Sequence, residues 1–165
     1  MIIEELLQKE EESGEVASGL HAVIGSILNS YLATYAHPKR LGWVLNSSAT
    51  YNFKDDLPRR EPDVSFVSLE KMPVPLDEEL AFAPDLAVEV VSKNDKIYEA
   101  EAKVKQYQQA GVKLIWIIYP VSQTVEIYRL ETALKSHRLT GEEELDGENV
   151  IPGFKLKVQN LFGQA

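Results

Sequence analysis

The chain has 165 residues, 44% of them hydrophobic and 26% charged, the balance of an ordinary globular protein. Its net charge of −9 excludes a protein that coats nucleic acid by neutralising phosphates over its whole surface, and leaves room only for a local basic rim. With no cysteine, disulfides, thiolate nucleophiles and cysteine-type zinc sites are excluded too.

The length suits one domain spanning 1–165. No window approaches the ~18 uninterrupted apolar residues of a membrane span. The opening stretch "MIIEELLQKEEESGE" is acidic and lacks the basic start and apolar middle of a secretory signal, so a cytoplasmic protein without a membrane partner is expected. Its Ile2, Ile3, Leu6 and Leu7 predict a short helix ahead of a solvated glutamate run.

From Ser18 the stretch "SGLHAVIGSILNSYLATYA" carries apolar residues at 20, 23, 24, 27, 28, 31, 32 and 35. That spacing predicts an amphipathic helix, with Ser18 as N-cap, small Gly25 and Ser26 for close packing, and Pro38 closing the region. "LGWVLNSSATYNF" and "PDVSFVS" alternate as strands do, separated by the polar loop "KDDLPRRE". Residues 69–83, with two prolines, read as irregular, and "PDLAVEVVS" gives a third strand.

"NDKIYEAEAKVKQYQQAGV" predicts a second helix with Ile97, Ala100, Val104 and Tyr107 on its stripe and Gly111 as its stop. "KLIWIIY" reads as a strand buried on both faces, and "PVSQ" turns it into the hairpin partner "TVEIYRL". One more strand, a charged turn and a short terminal segment complete the chain. The order predicts an α/β or α+β domain around one mixed sheet.

Chemistry is concentrated in the strands. In "PDLAVEVVS" Glu89 stands among apolar neighbours, and a carboxylate in a central strand needs a partner, a metal or a proton. In "EPDVSFV" the alternation puts Asp63 with Ser65 and Val67, on what reads as the polar face. If the two strands are neighbours, Asp63 and Glu89 can share a divalent metal, since hard cations such as Mg²⁺ favour one or two carboxylates, a carbonyl and waters.

Lys103 borders the apolar stripe of the following helix and can extend its ammonium from the helix–sheet seam toward the carboxylates. In phosphodiester hydrolysis such a lysine orients water or offsets charge on the phosphate. Singly, each residue has an ordinary explanation: Pro-Asp is a common turn or cap, and a helix lysine is usually solvated. His21, near a helix start, has no His or Cys at ligand spacing and reads as a packing or surface residue; His37 and His137 point to nothing specific. Lys39–Arg40, Arg59–Arg60 and Lys93, Lys96, Lys103 and Lys105 are a solvated surface by default. Arg59, Arg60, Lys93 and Lys96 flank the acidic strands and are candidate phosphate contacts.

"REPDVSFV", "APDLAVEVVS", "KVKQYQQAGVKLIWIIYP" and "VIPGFKLKV" resemble, in this order, the Uma-type putative restriction endonuclease family of the PD-(D/E)XK nuclease superfamily. The likeness covers roughly 18–162, leaving 1–17 as an N-terminal extension. It implies a restriction-endonuclease-like core, a mixed central sheet flanked by helices, and a metal-dependent endodeoxyribonuclease using Mg²⁺ or Mn²⁺. On that pattern Asp63 and Glu89 are metal ligands, joined by the carbonyl of Val90. The superfamily's lysine falls at Val91, and the family pattern moves it to Lys103, four residues before Tyr107. His21 matches a histidine common at the start of the family's first long helix, Glu15 is a further acidic candidate and Tyr107 an accessory one. DNA is the implied substrate and a homodimer the implied assembly. A nuclease-fold module that binds nucleic acid or protein without cleaving it is the alternative.

Overall fold

The computed structural model describes residues 17–54, 56–72, 77, 79–92, 95, 97–132 and 135–163. The helix expected before residue 16, and with it Glu15, lies outside them. So do Lys93 and Lys96.

Helix α1, Ala17–Ala36, starts one residue before Ser18, which therefore lies in the first turn and not at the cap. Its buried stripe is Leu20, Ile24, Leu28, Leu32 and Ala36, a strict four-residue row. Val23 and Tyr31, expected on that stripe, are exposed. Each leucine or isoleucine so buried stabilises the fold by about 1.5–3 kcal/mol. After Pro38 the chain turns through Arg40, at φ 54, into the sheet.

Six strands form the sheet in chain order: β1 Gly42–Asn46, β2 Val64–Ser68, β3 Leu86–Val90, β4 Leu114–Tyr119, β5 Thr124–Arg129 and β6 Ser136–Thr140. All neighbours are antiparallel except β3 and β4, which are parallel and joined through helix α2, Ile97–Ala110. A parallel pair needs such a crossover, whereas the others close through shorter connections. Gly111, at φ 89, ends α2. At Gly42 a Cβ would meet the Val67 carbonyl oxygen at 2.2 Å, so the edge strand can approach β2 only as glycine.

The long segment "LGWVLNSSATYNF" is strand only to Asn46; beyond it Tyr51 makes isolated bridges to Arg60 and Leu80. The C-terminal part also departs from the simple expectation. Short strands β7, Glu144–Asp146, and β8, Lys155–Lys157, make a separate antiparallel ribbon, followed by a 3₁₀ turn at Val158–Phe162.

Two apolar clusters sandwich the sheet. Leu86, Val88 and Val90 face α1, together with Val64, Phe66, Trp116 and the C-terminal ribbon. Ala87, Ile115 and Ile117 face α2 with Tyr51, Phe53, Val67 and Tyr107. The face holding Ser65 and Glu89 is therefore not polar, as alternation suggested, but covered by a helix and packed with aromatic rings. Among the described residues no helix is long and apolar enough to cross a membrane.

Candidate active site

The site forms where β2 begins and β3 ends. The pairs Val64↔Val88, Ser65↔Ala87 and Phe66↔Leu86 set the register, and continuing it by one position puts Asp63 opposite Glu89. Asp63 N donates to the Val88 carbonyl at 3.0 Å. Its Oδ2 accepts the Val90 N–H at 2.7 Å, standing in for a backbone acceptor where the ladder stops. Pro-Asp thus performs the capping task ordinary for it, and keeps Oδ1 for other work. His21 Nε2 lies 2.5 Å from that oxygen. The bond to Asp63 raises the imidazole pKa above its usual value against the opposing effect of burial.

Glu89, only 6% exposed, faces α2. Lys103 and Tyr107 are four residues apart on that helix and so share a face. Lys103 Nζ is 2.8 Å from Glu89 Oε2, and the Tyr107 hydroxyl donates to Oε1. Phe53 packs edge-on against Tyr107, centroids 6.1 Å apart, and helps to fix its ring. Burial pushes the Glu89 pKa above the ordinary carboxylate value, although Lys103 and Tyr107 pull it down. Burial and the neighbouring Glu89 hold the Tyr107 phenol well above its usual value, so it remains a donor.

The two carboxylates are reached from opposite layers, His21 from α1 and Lys103 with Tyr107 from α2. On the α1 side a groove of about 570 Å³ runs from His21 and Asp63 along Gly25, Ser26, Asn29, Asn46 and Ser47. Gly25 and Ser26 do not serve close packing as expected: a Cβ at Gly25 meets nothing within 4 Å, and Ser26 is exposed. On the α2 side Glu89, Val90, Asp95, Ala100 and Lys103 surround a small pocket of about 30 Å³.

Asp63, Glu89, Lys103, Tyr107 and His21 therefore come together. Val90 joins them through its backbone. Since N–H and C=O of one strand residue emerge on the same side, its carbonyl is directed toward the side occupied by Asp63. The two arginines have other partners. Arg60 Nε donates to Gln106 on α2 at 2.7 Å, and Arg59 pairs with Glu79 at 3.0 Å on the surface. Gln106, one residue before Tyr107, carries no sequence signal of this contact, because its role depends on a loop arginine. A further buried acid, Glu126, lies level with Glu89 across Ile117. Its buried carboxylate accepts from Tyr128 at 2.9 Å and from Tyr119 and Arg138. The signal in "TVEIYRL" was the same as for Glu89: an acid within an alternating apolar strand.

Among the described residues no group of three or more His, Cys, Asp or Glu is arranged to hold a metal. The donors present at the strand ends are two carboxylates and a carbonyl, all oxygen. That oxygen set fits a hard divalent cation retaining several waters, with the His21 imidazole held on Asp63 beside it. Each carboxylate oxygen has two lone-pair sites, so the present hydrogen bonds leave acceptor capacity.

The family model described as "Uma2: Putative restriction endonuclease" matches residues 6–159. The chain belongs to that family. Among solved structures it is similar to one titled "Crystal structure of a putative nuclease belonging to DUF820 from Anabaena variabilis ATCC 29413", with a TM-score of 0.77 and 21% identity. The likeness covers 88% of this chain and 81% of the other, and shows a shared α/β fold. Comparison with curated proteins finds no match.

Proposed function

We propose that the protein is a metal-dependent endonuclease that hydrolyses phosphodiester bonds in DNA. The observation that carries this reading is the convergence of Asp63, Glu89 and Lys103 on one strand end, with Lys103 2.8 Å from Glu89 and Asp63 2.7 Å from the neighbouring Val90 N–H. Membership in a family described as restriction endonucleases supports it.

In this reading Asp63, Glu89 and the Val90 carbonyl hold Mg²⁺ or Mn²⁺. When bound, the cation supplies a water of lowered pKa and polarises the phosphate. The remaining work belongs to the chain. Lys103 donates from the helix–sheet seam to the phosphate oxygen on which charge accumulates. Tyr107 fixes the Glu89 carboxylate and His21 fixes that of Asp63, so both oxygens are aimed before substrate arrives. The apolar packing around Glu89 strengthens each of these interactions by excluding water. We further take the chain to be one domain acting in the cytoplasm as a homodimer, the last by analogy with small nucleases cutting two strands.

Plasmid and single-stranded DNA incubated with Mg²⁺ or Mn²⁺ test the reading. Nicking is expected from the wild type and not from Glu89→Gln. Equal, background-level nicking by both sinks it.

A second reading, a nuclease-fold module that binds nucleic acid or protein without cutting, is favoured by the net charge of −9 and by the partners that both carboxylates already have. Metal-dependent melting that is unchanged in Asp63→Ala, together with binding of DNA, supports that module instead.

A further inference from the structure

The groove beside His21 and Asp63 has features the cleavage chemistry does not explain. At about 570 Å³ it has the size of a small-molecule site, about 300–1,000 Å³. Apart from His21 and Asp63 at one end, the described residues lining it are uncharged. Ser26, Ser30 and Ser47 bring hydroxyls, and Asn29 and Asn46 bring carboxamides, groups that both donate and accept. Such walls do not neutralise phosphates. They match the hydrogen-bonding edges of an unpaired base and its sugar.

The room exists because of Gly25. It sits in the middle of α1, where glycine destabilises a helix relative to alanine. Packing does not demand it, since a Cβ there meets nothing within 4 Å. A larger side chain would project into the open space beside Ser26 and Asn29 instead. Asn46 is held by its turn, where its Oδ1 accepts the Ser48 N–H at 3.0 Å, so this wall is fixed before any ligand enters.

We propose that this groove receives an unpaired nucleotide next to the scissile phosphate, making single-stranded DNA, or a locally opened strand, the preferred substrate. The inference rests on the nuclease reading for the meaning of the adjacent carboxylates. The acidic chain is consistent with it: recognition is through neutral polar groups and not through a cationic surface.

The test measures binding without cleavage, using the full chain in EDTA and a fluorescein-labelled 12-mer of mixed sequence, single-stranded or annealed. The single strand should bind at least tenfold tighter than the duplex. Its salt dependence should be shallower than a log–log slope of about −2, because each neutralised phosphate adds about −0.7. Gly25→Leu should weaken single-strand binding tenfold or more without lowering Tm, and Ser26→Leu should do the same if the first variant folds poorly. Equal affinity for duplex and single strand, a steep salt slope, or wild-type binding by both folded variants overturns the proposal. The outcomes separate from those of the nuclease reading. Groove-dependent binding with no cutting supports the groove and sinks the nuclease. Duplex cutting that is indifferent to Gly25→Leu sinks the groove alone.

Discussion

Asp63 and Asp85 occupy equivalent positions at opposite ends of the β2–β3 pair. Each follows a proline, and each caps the far end of the partner strand: Asp63 Oδ2 accepts the Val90 N–H at 2.7 Å, and Asp85 Oδ2 accepts the Ser68 N–H at 2.9 Å. Their own N–H groups are equivalent too, donating to the carbonyls of Val88 and Phe66. The symmetry ends with the neighbours. Opposite Asp63 stands Glu89, whereas the corresponding place at the other end holds the apolar Val67. Asp85 is instead neutralised by Lys113 at 3.2 Å and Lys71 at 3.5 Å. One Pro-Asp is neutralised by lysines; the other has a second carboxylate beside it and a histidine on its remaining oxygen.

Asp85 sets an acid limb of stability. Burial raises its pKa, but the Ser68 N–H and the two lysines outweigh burial and leave it below the ordinary value. A lowered folded-state pKa means that the stabilisation is present above the unfolded value near 4 and is lost as pH falls through the folded one. Asp85→Asn should therefore lower stability at pH 7 by about 1–3 kcal/mol. In urea titrations the gap to wild type should narrow as pH falls below the unfolded value near 4, and close only once the folded-state carboxylate is itself protonated. A gap that stays constant from pH 7 to 3 contradicts this.

Glu89 has the opposite sign. Its raised pKa means that the folded state retains the proton more readily than the unfolded chain, so ionisation weakens the fold as pH rises between the two values. Glu89→Gln, which mimics the protonated form, should melt at the wild-type temperature or above in EDTA at pH 7, and yet lose the Mn²⁺-induced rise in Tm. A several-degree drop in EDTA contradicts this account, and so does a retained Mn²⁺ rise.

Tyr107→Phe removes one hydroxyl and leaves Glu89 Oε1 buried without that donor. The expected cost is about 1–3 kcal/mol by urea denaturation. Cleavage should fall through misplacement of Glu89, with substrate affinity nearly unchanged. A variant as stable as wild type contradicts the assigned bond.

Lys103 is about one-third exposed, which screens its side of the pair, but Glu89 is buried, so removing the lysine leaves a buried carboxylate without its counter-ion. In the proposed mechanism the lysine's contribution is to the chemistry. Lys103→Met should reduce the cleavage rate constant by about 100-fold or more, and its Tm at pH 7 should fall and recover as the pH is lowered and Glu89 takes a proton. Lys103→Arg should restore little, because the planar guanidinium cannot replace a compact ammonium in a seam of this size. Wild-type turnover by Lys103→Met removes the lysine from the mechanism.

The parts of this arrangement legible in the sequence are those that depend on local period. Alternation in "PDLAVEVVS" and "PDVSFVS" phased Glu89 with Asp63, and the i, i+4 spacing of α2 tied Lys103 to Tyr107. Contacts between layers were not legible. His21 carries no local sign that it reaches Asp63, because that depends on how α1 lies over the sheet. The face around Glu89 read as polar since Ser65 shares it, yet Tyr51 and Tyr107 cover it: the Tyr51 hydroxyl and Ser65 Oγ are 2.7 Å apart and satisfy each other. Strands β7 and β8 are three residues each, too short for alternation to announce them. The groove was invisible because its sign, a glycine and serines on a helix, reads equally well as close packing.

The most direct measurement is the anomalous difference map of crystals soaked in Mn²⁺. The account predicts one strong peak between Asp63 and Glu89, bonded to a carboxylate oxygen of each at about 2.0–2.3 Å and to the Val90 carbonyl. A map with no peak there at saturating Mn²⁺, or with the ion bound only elsewhere, contradicts the metal-dependent nuclease reading.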